Sequence, residues 1–493
     1  MGLVVRQSIL NTIISYVGVV IGYINLLYLY PKMLAPEQVG LLRTLQDSAI
    51  LFAPFAQFGI SMTIQRYFPY FGKDQRQAGS FISLMMLMAL AGFGAFFIVF
   101  SIFKTRIASY FEVNAADFVG YIHLTAWLTL ILLLTAVLEA YSRALLKAVV
   151  PSLLREVVIR FLLAVLIIIY FQGLITFDQF ITSTLVAYLA CLVMLIGYLM
   201  STGDFQLTWK FPTMDSQTSR EMIRYSLFGF AGTAGMIIIG KMDSLMVSGL
   251  MGLAANAIYT TSFYMATVIE IPKRAMSQVA MPLISRAFEK NDMTEIKTLY
   301  HKTALNQFII GLLLLVGIAA NLENLYALMP RSDVYAAGYM VVLVVGVGKL
   351  VDMLFGPSSE IIVLSKYYWF NLVLIIFLAV MTVVLNNLLI PEYGIVGAAY
   401  GAALSLILFN AAKFVFLWAK MGLQPFTFAF AKVIVIGAIG WGVHLAIPKM
   451  DEVLLDMVLR SGAITLVFSS LILLAKVSPE ANGLVRRVLG VGL

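Results

Sequence analysis

The chain has 493 residues, 61% hydrophobic and 12% charged, with 33 Lys and Arg against 25 Asp and Glu. A mean hydropathy of +0.95 excludes a soluble globular protein of this size and implies an integral membrane protein. The net charge of +8 does not indicate nucleic-acid binding, because the basic residues sit in short connectors between apolar runs, where membrane orientation explains them.

Lipid tolerates only helices and closed barrels, since every backbone polar group must be satisfied internally. Barrel strands alternate polar and apolar residues, whereas runs such as LTAWLTLILLLTAVLEAY (124–141) are continuously apolar. The expected fold class is therefore an all-α membrane protein. The N-terminal stretch MGLVVRQSILNTIISYVGVVIGYINLLYLY begins basic and apolar, as a signal peptide does. Its apolar run is too long for an h-region and no small-residue cleavage site follows, so it is read as a retained first span.

Fourteen apolar segments follow in order. Span 1 (9–30) contains Asn25 and no acid, and span 2 (43–63) opens on Arg43, Gln46 and Asp47 and carries Gln57. Spans 3 to 6 (79–103, 119–141, 155–172, 177–200) include the i,i+4 pairs Glu139/Arg143 and Glu156/Arg160 at their ends. Span 7 (222–243) carries Gly229, Gly232 and Gly235 at spacing three, a narrow face that admits a close neighbour, and ends on Lys241 and Asp243. Span 8 (254–272) ends at Glu270 with Arg274 four residues on, and span 9 covers 303–320. Span 10 (335–363) holds Lys349 and Asp352 at i,i+3 before a kink expected at Gly356-Pro357. Spans 11 to 14 cover 367–388, 395–419, 427–447 and 455–476, the last with Asp456/Arg460 at i,i+4.

Lys and Arg concentrate in the N-terminus, the even-to-odd connectors and the C-terminal tail, which places both termini in the cytoplasm. A weak repeat relates the region from Leu34 around span 2 to the region from Leu250 around span 8, with Pro54 and Pro272 in similar places. Two six-helix lobes, 1–210 and 211–420, plus two added C-terminal spans in 421–493 account for the segments, an arrangement common among transporters.

Charges inside a bilayer are expensive and usually functional. The pairs at 139/143, 156/160 and 270/274 sit near cytoplasmic ends, where long side chains snorkel to water, and read as structural. Lys349 and Asp352 lie mid-helix and are expected to pair and face an internal cavity, with Arg43 and Asp47 at its outer mouth. Lys241 and Asp243 have no opposite charge three or four residues away and lie roughly 200° apart on a helix. Each needs a partner on another helix, unless both simply mark the outer end of span 7. The candidate cavity residues are thus Arg43, Asp47, Lys241, Asp243, Lys349 and Asp352.

Enzyme signals are missing. His123, His301 and His444 have no Ser/Asp or second-His arrangement around them, no GxxxxGK[ST] occurs, and Cys191 is the single cysteine. No catalytic residue, metal site or cofactor is expected.

The LAPEQVG connector (34–40), IPKRAMSQVAMPLISRAFEKND (271–292) and NNLLIPEYGIVGAAYGAALS (386–405) resemble Wzx-type oligosaccharide flippases of the multidrug/oligosaccharidyl-lipid/polysaccharide (MOP) exporter superfamily. The likeness runs over nearly the whole chain. It implies a MATE/MurJ-like fold and a transporter that moves undecaprenyl-diphosphate-linked sugar units across the bacterial inner membrane by alternating access, for surface polysaccharide, O-antigen and lipopolysaccharide synthesis. The implied partners are the lipid-linked oligosaccharide, membrane lipids, a proton or sodium ion for coupling, and a polysaccharide polymerase. Two alternatives share the superfamily. A cation-coupled drug antiporter would carry a carboxylate in span 1, where this chain has Asn25, and a lipid II flippase would more typically carry an arginine there, where Arg6 precedes the span. A polymerase or ligase would show a large extracytoplasmic loop, whereas the longest connectors here, 201–221 and 273–302, are cytoplasmic by charge.

Reporter fusions test the orientation. A fusion within 201–221 should report cytoplasm and one within 321–334 the exterior; the same reading from both breaks the alternation.

Overall fold

The computed structural model describes residues 3–71, 75–203, 205, 207–208, 215–480 and 482–483, so most of the 204–214 connector and the last ten residues of the cationic tail lie outside the described residues. All regular structure among them is helical. Large apolar side chains such as Ile98, Val99, Ile102, Val186 and Leu466 stand exposed on these helices, as a lipid-facing surface requires. The chain divides into two compact units, Met1–Ala257 and Ile258–Leu493.

In the first unit, α1 (Leu3–Ile24) passes through a π turn, Asn25–Leu29, into a last helical turn, Tyr30–Met33. α2 (Pro36–Gln57) starts on Pro36, whose missing N–H is no loss in a first turn, with Gln38 Oε1 accepting from Ala35 N at 3.0 Å. It ends where Phe58 and Gly59 take positive φ, and α3 (Ile60–Phe71) leaves at a 46° bend. Then come α4 (Gln75–Phe111), α5 (Ala116–Ala144), a short turn with a π segment at Leu154–Val158 leading into α6 (Ile159–Phe171), and α7 (Phe177–Ser201). The start of α7 is fixed by Thr176 and Gln179, which exchange side-chain and backbone hydrogen bonds in a capping box. α8 (Ser216–Met251) is capped by Asp215 Oδ2 accepting from Thr218 N at 3.2 Å, and it packs along α2 and α3.

Small residues set the spacing in this unit. A Cβ on Gly40 of α2 would fall 1.8 Å from the carbonyl oxygen of Leu253. One on Gly18 of α1 would fall 2.6 Å from Glu156 O in the second π segment. Asn25 Nδ2 in the first π turn donates to Arg160 O at 2.9 Å and Arg160 donates to Gly18 O, so side chains tie α1 and its π turn to the start of α6.

α9 (Leu253–Thr267) crosses the boundary between the units. In the second unit a 3₁₀ turn, Val268–Glu270, leads to α10 (Ile271–Glu289) and α11 (Met293–Ala320), and short turns precede α12 (Tyr339–Leu354). The break expected at Gly356-Pro357 is present, with Gly356 at φ +53°, and α13 (Ser358–Leu364) follows it. α14 (Tyr368–Met421) is 54 residues long, bent at Gly394 (φ 61°, ψ −138°) just after Pro391, and α15 (Phe428–Ala446) and α16 (Val453–Leu474) close the chain. The core of this unit joins α11, α15 and α16 through residues such as Phe308, Phe430, Val433, Phe468 and Ile472.

Among the described residues ten helices are long and apolar enough to cross a membrane, or eleven if the bent pair α2 and α3 counts as one span. Length and composition therefore do not yield fourteen. The physical reason lies in three places: expected spans 11 and 12 form the single bent run of α14, while expected spans 5 and 8 are cut by the π turn before α6 and the 3₁₀ turn after α9. Packing also divides the chain one helix later than the repeat does, because α8 lies on α2 and α3.

Gly394 sits at dihedrals that only glycine adopts without strain. Gly394→Val should lower stability by about 1–3 kcal/mol, read as a drop in the unfolding midpoint of the purified protein, while Gly442→Ala, with open space around it, should be neutral.

Candidate functional site

Two groups of embedded charges stand out, one in each unit. In the first unit α2 supplies Arg43 and Asp47, and α8 supplies Lys241 and Asp243. Lys241 Nζ donates to Asp47 Oδ1 at 2.6 Å, with the aspartate side chain 7% exposed and the lysine 22%. The partner that Lys241 lacks on its own helix is thus the acid of a neighbouring one. A polar seam sets this register. Thr44 Oγ1 meets Ser248 Oγ at 2.6 Å, Asn256 Nδ2 donates to Thr44 Oγ1 at 3.2 Å, and Ser244 Oγ donates to Asn256 Oδ1 at 2.9 Å. Arg43 lies over the Tyr30 ring at 5.4 Å. Asp243 is buried, and α8 continues eight residues beyond it, roughly 12 Å of helix. Lys241 and Asp243 therefore do not mark the end of the helix, as one sequence-based reading had it.

In the second unit the expected local pair of Lys349 and Asp352 is replaced by two pairs between helices. Lys349 Nζ donates to Glu270 Oε2 at 2.5 Å, and Lys273 Nζ donates to Asp352 Oδ2. Glu270 and Lys273 stand three residues apart at the start of α10, as Lys349 and Asp352 do on α12, so the segments meet in parallel register and exchange partners. Each charge is buried where the two segments pack, so it is met by the opposite charge that faces it across the contact. Asp352 is bound further by Asn410 Nδ2 of α14 at 3.0 Å, with Lys413 Nζ 4.0 Å from its Oδ1. Lys413 is 1% exposed, donates to Ser359 Oγ at 3.1 Å and lies 4.3 Å over the Phe409 ring. Glu360 adds a negative charge beside Lys273 and Lys413.

Sequence reasoning assigned Glu270 and Arg274 to snorkelling. Arg274 is indeed exposed and reaches Glu270 at 3.4 Å, but Glu270 also faces inward to Lys349. Lys273, Glu360, Asn410 and Lys413 were missed. The available signal was Lys413 within the apolar stretch LILFNAAKFVFLW, with Asn410 three residues before it. The other local pairs are present: Glu139 holds Arg143 at 3.2 Å and, in addition, Arg155 at 2.7 Å, and Glu156 holds Arg160 at 3.0 Å.

No family model matches the chain. It is 25% identical over 399 residues to an uncharacterized membrane protein of Methanocaldococcus jannaschii, covering 75% of each chain. It is 20% identical over 191 residues, 38% of this chain and 40% of the relative, to a protein described as a probable low-salt glycan biosynthesis flippase, Agl15, of Haloferax volcanii. Among solved structures, the lipid II flippase MurJ in an inward closed conformation superposes with a TM-score of 0.71 over 95% of this chain and 100% of that one, at 14% identity. An inward-facing multidrug resistance MATE family transporter of the MOP superfamily gives 0.65 over 86% and 98%, at 17% identity. The fold is that of MurJ and the MATE transporters.

Double-mutant cycles test the exchanged pairs. Lys273/Asp352 and Glu270/Lys349 should each show a coupling of about 1–3 kcal/mol in stability, and Lys349/Asp352 clearly less. Equal coupling across all three pairs would mean the local pairing holds.

Proposed function

We propose that the chain is a flippase of the MOP superfamily that moves a polyprenyl-diphosphate-linked oligosaccharide across the cytoplasmic membrane for surface-glycan synthesis. The observation that carries this reading is the set of embedded lysines, Lys241 in the first unit and Lys273, Lys349 and Lys413 in the second, each set against a carboxylate inside a helical membrane bundle. An ammonium in the bilayer needs a counter-charge to be tolerable. A diphosphate head group presents several anionic oxygens that can take over from the resident acid, while its polyprenyl tail stays in lipid.

The likeness to MurJ and MATE transporters supports a transporter of this superfamily, and the partial identity to the Haloferax glycan flippase supports a glycan cargo. The drug-antiporter alternative would place an acid in span 1, and this span has none; its Asn25 is buried and donates to Arg160 O. In this reading the lobes 1–210 and 211–420 move in alternating access with both termini in the cytoplasm, the spans in 421–493 are accessory, and a proton or sodium ion supplies the coupling. The surface polymer, O-antigen in a bacterial host, is completed by a separate polymerase.

Complementation of a strain lacking its surface-glycan flippase is the test. Lys241→Glu and Lys349→Glu should each abolish export, with a lowered protein level that reflects the broken buried pair. The exchange Asp47→Lys with Lys241→Asp keeps the ion pair and so the abundance, and should still fail to export. Wild-type export by all three variants would overturn the cationic reading.

A further inference from the structure

The second unit contains a cavity of about 280 Å³ that no step above uses. It lies where the start of α12, the end of α15 and the start of α16 meet the turn after α11, and its polar walls are Glu323, Asn324, Tyr339, His444 and Lys449, with Asp456 and Arg460 behind them. By the charge asymmetry of the connectors, this is the extracytoplasmic end.

The charged groups fall into two classes. Arg460 is spent on structure. Its Nε and Nη2 reach Asp456 at 3.0 and 2.8 Å, and Nη1 donates to His444 O at 2.8 Å, while Ile447 O and Pro448 O lie at 3.3 and 3.4 Å. Asp456 also accepts from Asn324 Nδ2 and from Met450 N at 3.3 Å. This pair fastens the end of α15 to α16 and offers nothing to an anion. At the rim, Lys449 pairs with Glu323 at 3.0 Å, both about 70% exposed, so the cavity is balanced, two cations against two anions.

What remains is hydrogen bonding without net charge. A guanidinium only donates, so His444 Nδ1, 3.0 Å from Arg460 Nη1, is the acceptor, and the neutral ring carries its proton on Nε2. The walls thus present an imidazole N–H, the Tyr339 hydroxyl, and the free donors and acceptors of Lys449 and Glu323. The indole of Trp441 packs 4.7 Å from the His444 ring, outside the cavity wall, and helps hold that ring in place. The volume sits just below the ~300 Å³ at which pockets for larger ligands begin.

From this geometry we infer that the cavity is a subsite for one neutral, hydroxyl-rich ring, a sugar unit. Hydrogen-bond donors and acceptors together in one cavity without net charge suit a polyol and not a phosphate or carboxylate. The source of the sugar rests on the flippase reading: it is a residue of the translocated glycan, held at the outer face as the diphosphate end leaves the embedded lysines.

The test uses the full chain in lipid nanodiscs prepared without glycoside detergents. Saturation-transfer NMR with the methyl glycosides of glucose, mannose, galactose and N-acetylglucosamine should give a saturable signal for at least one, unaffected by inorganic phosphate. Tyr339→Phe, and Glu323→Ala with Lys449→Ala, should each weaken binding about tenfold, the loss expected for one or two hydrogen bonds. The exposed rim residues can be changed without unfolding the unit. No saturable sugar signal, a signal unchanged in both variants, or competition by phosphate would each overturn the subsite. Lys349→Glu should keep sugar binding while losing export, so a failed subsite with lysine-dependent export leaves the flippase reading standing, and sugar binding with lysine-independent export does the reverse.

Discussion

A charge in a bilayer must find its counter-charge within reach, and the second unit is organised around that constraint. Two acids and two lysines, Glu270 with Lys349 and Lys273 with Asp352, close a double bridge between the start of α10 and the last two turns of α12, not the mid-helix position expected from sequence. The equal spacing on both segments makes the bridge a register lock: shifting one helix by a turn would leave an ammonium and a carboxylate unpaired in lipid, at about 3–5 kcal/mol for each broken buried pair. Asn410 brings α14 onto the same aspartate, so Asp352 gathers three helices immediately before α12 breaks at Gly356-Pro357. A helix free to bend there keeps its upper part anchored.

The first unit reaches the same end with fewer charges and more close contact. Gly40 lets α2 touch the backbone at Leu253, and the Thr44, Ser248 and Asn256 side chains then meet within hydrogen-bond distance. Only with α2 and α8 this close does Lys241 reach Asp47. Packing of small residues comes first here and the ion pair follows from it, whereas in the second unit the ion pairs themselves fix the register. Of the glycine row expected to admit a close neighbour, Gly229 does so against Met62 while Gly232 faces open space, so the row did not point to the contact at Gly40 or to the partner of Lys241.

Hydropathy made the helical membrane class legible, and Pro and Gly marked the breaks at Gly356 and Gly394, whereas the break at Phe58–Gly59 falls inside the expected span 2 and went unread. The partners of the embedded charges were legible only where they sit on one helix and near its end, as at Glu139/Arg143, Glu156/Arg160 and Asp456/Arg460. Lys349 and Asp352 satisfy the same i,i+3 rule and do not pair, since sequence spacing says which residues share a face and nothing of what that face meets. Lys413 went unread for a related reason. An isolated lysine in an apolar run carries no local sign of a partner that lies 61 residues earlier in the chain.

How completely each embedded cation is bonded then separates structure from service. Arg460 has carboxylate oxygens on Nε and Nη2 and a carbonyl at 2.8 Å on Nη1, and a guanidinium with its donors filled has no reason to release them. Lys413, equally buried, has three donors but one hydroxyl at 3.1 Å and a carboxylate at 4.0 Å that Lys273 already occupies. Asp352 is shared by two ammonium groups, and Glu360 beside them supplies the second negative charge, so the cluster balances as a group and not pair by pair. The resident acids, Asp352 with Glu360 nearby, thus make Lys273 and Lys413 tolerable in lipid, while Lys413 is held by fewer close bonds than Arg460.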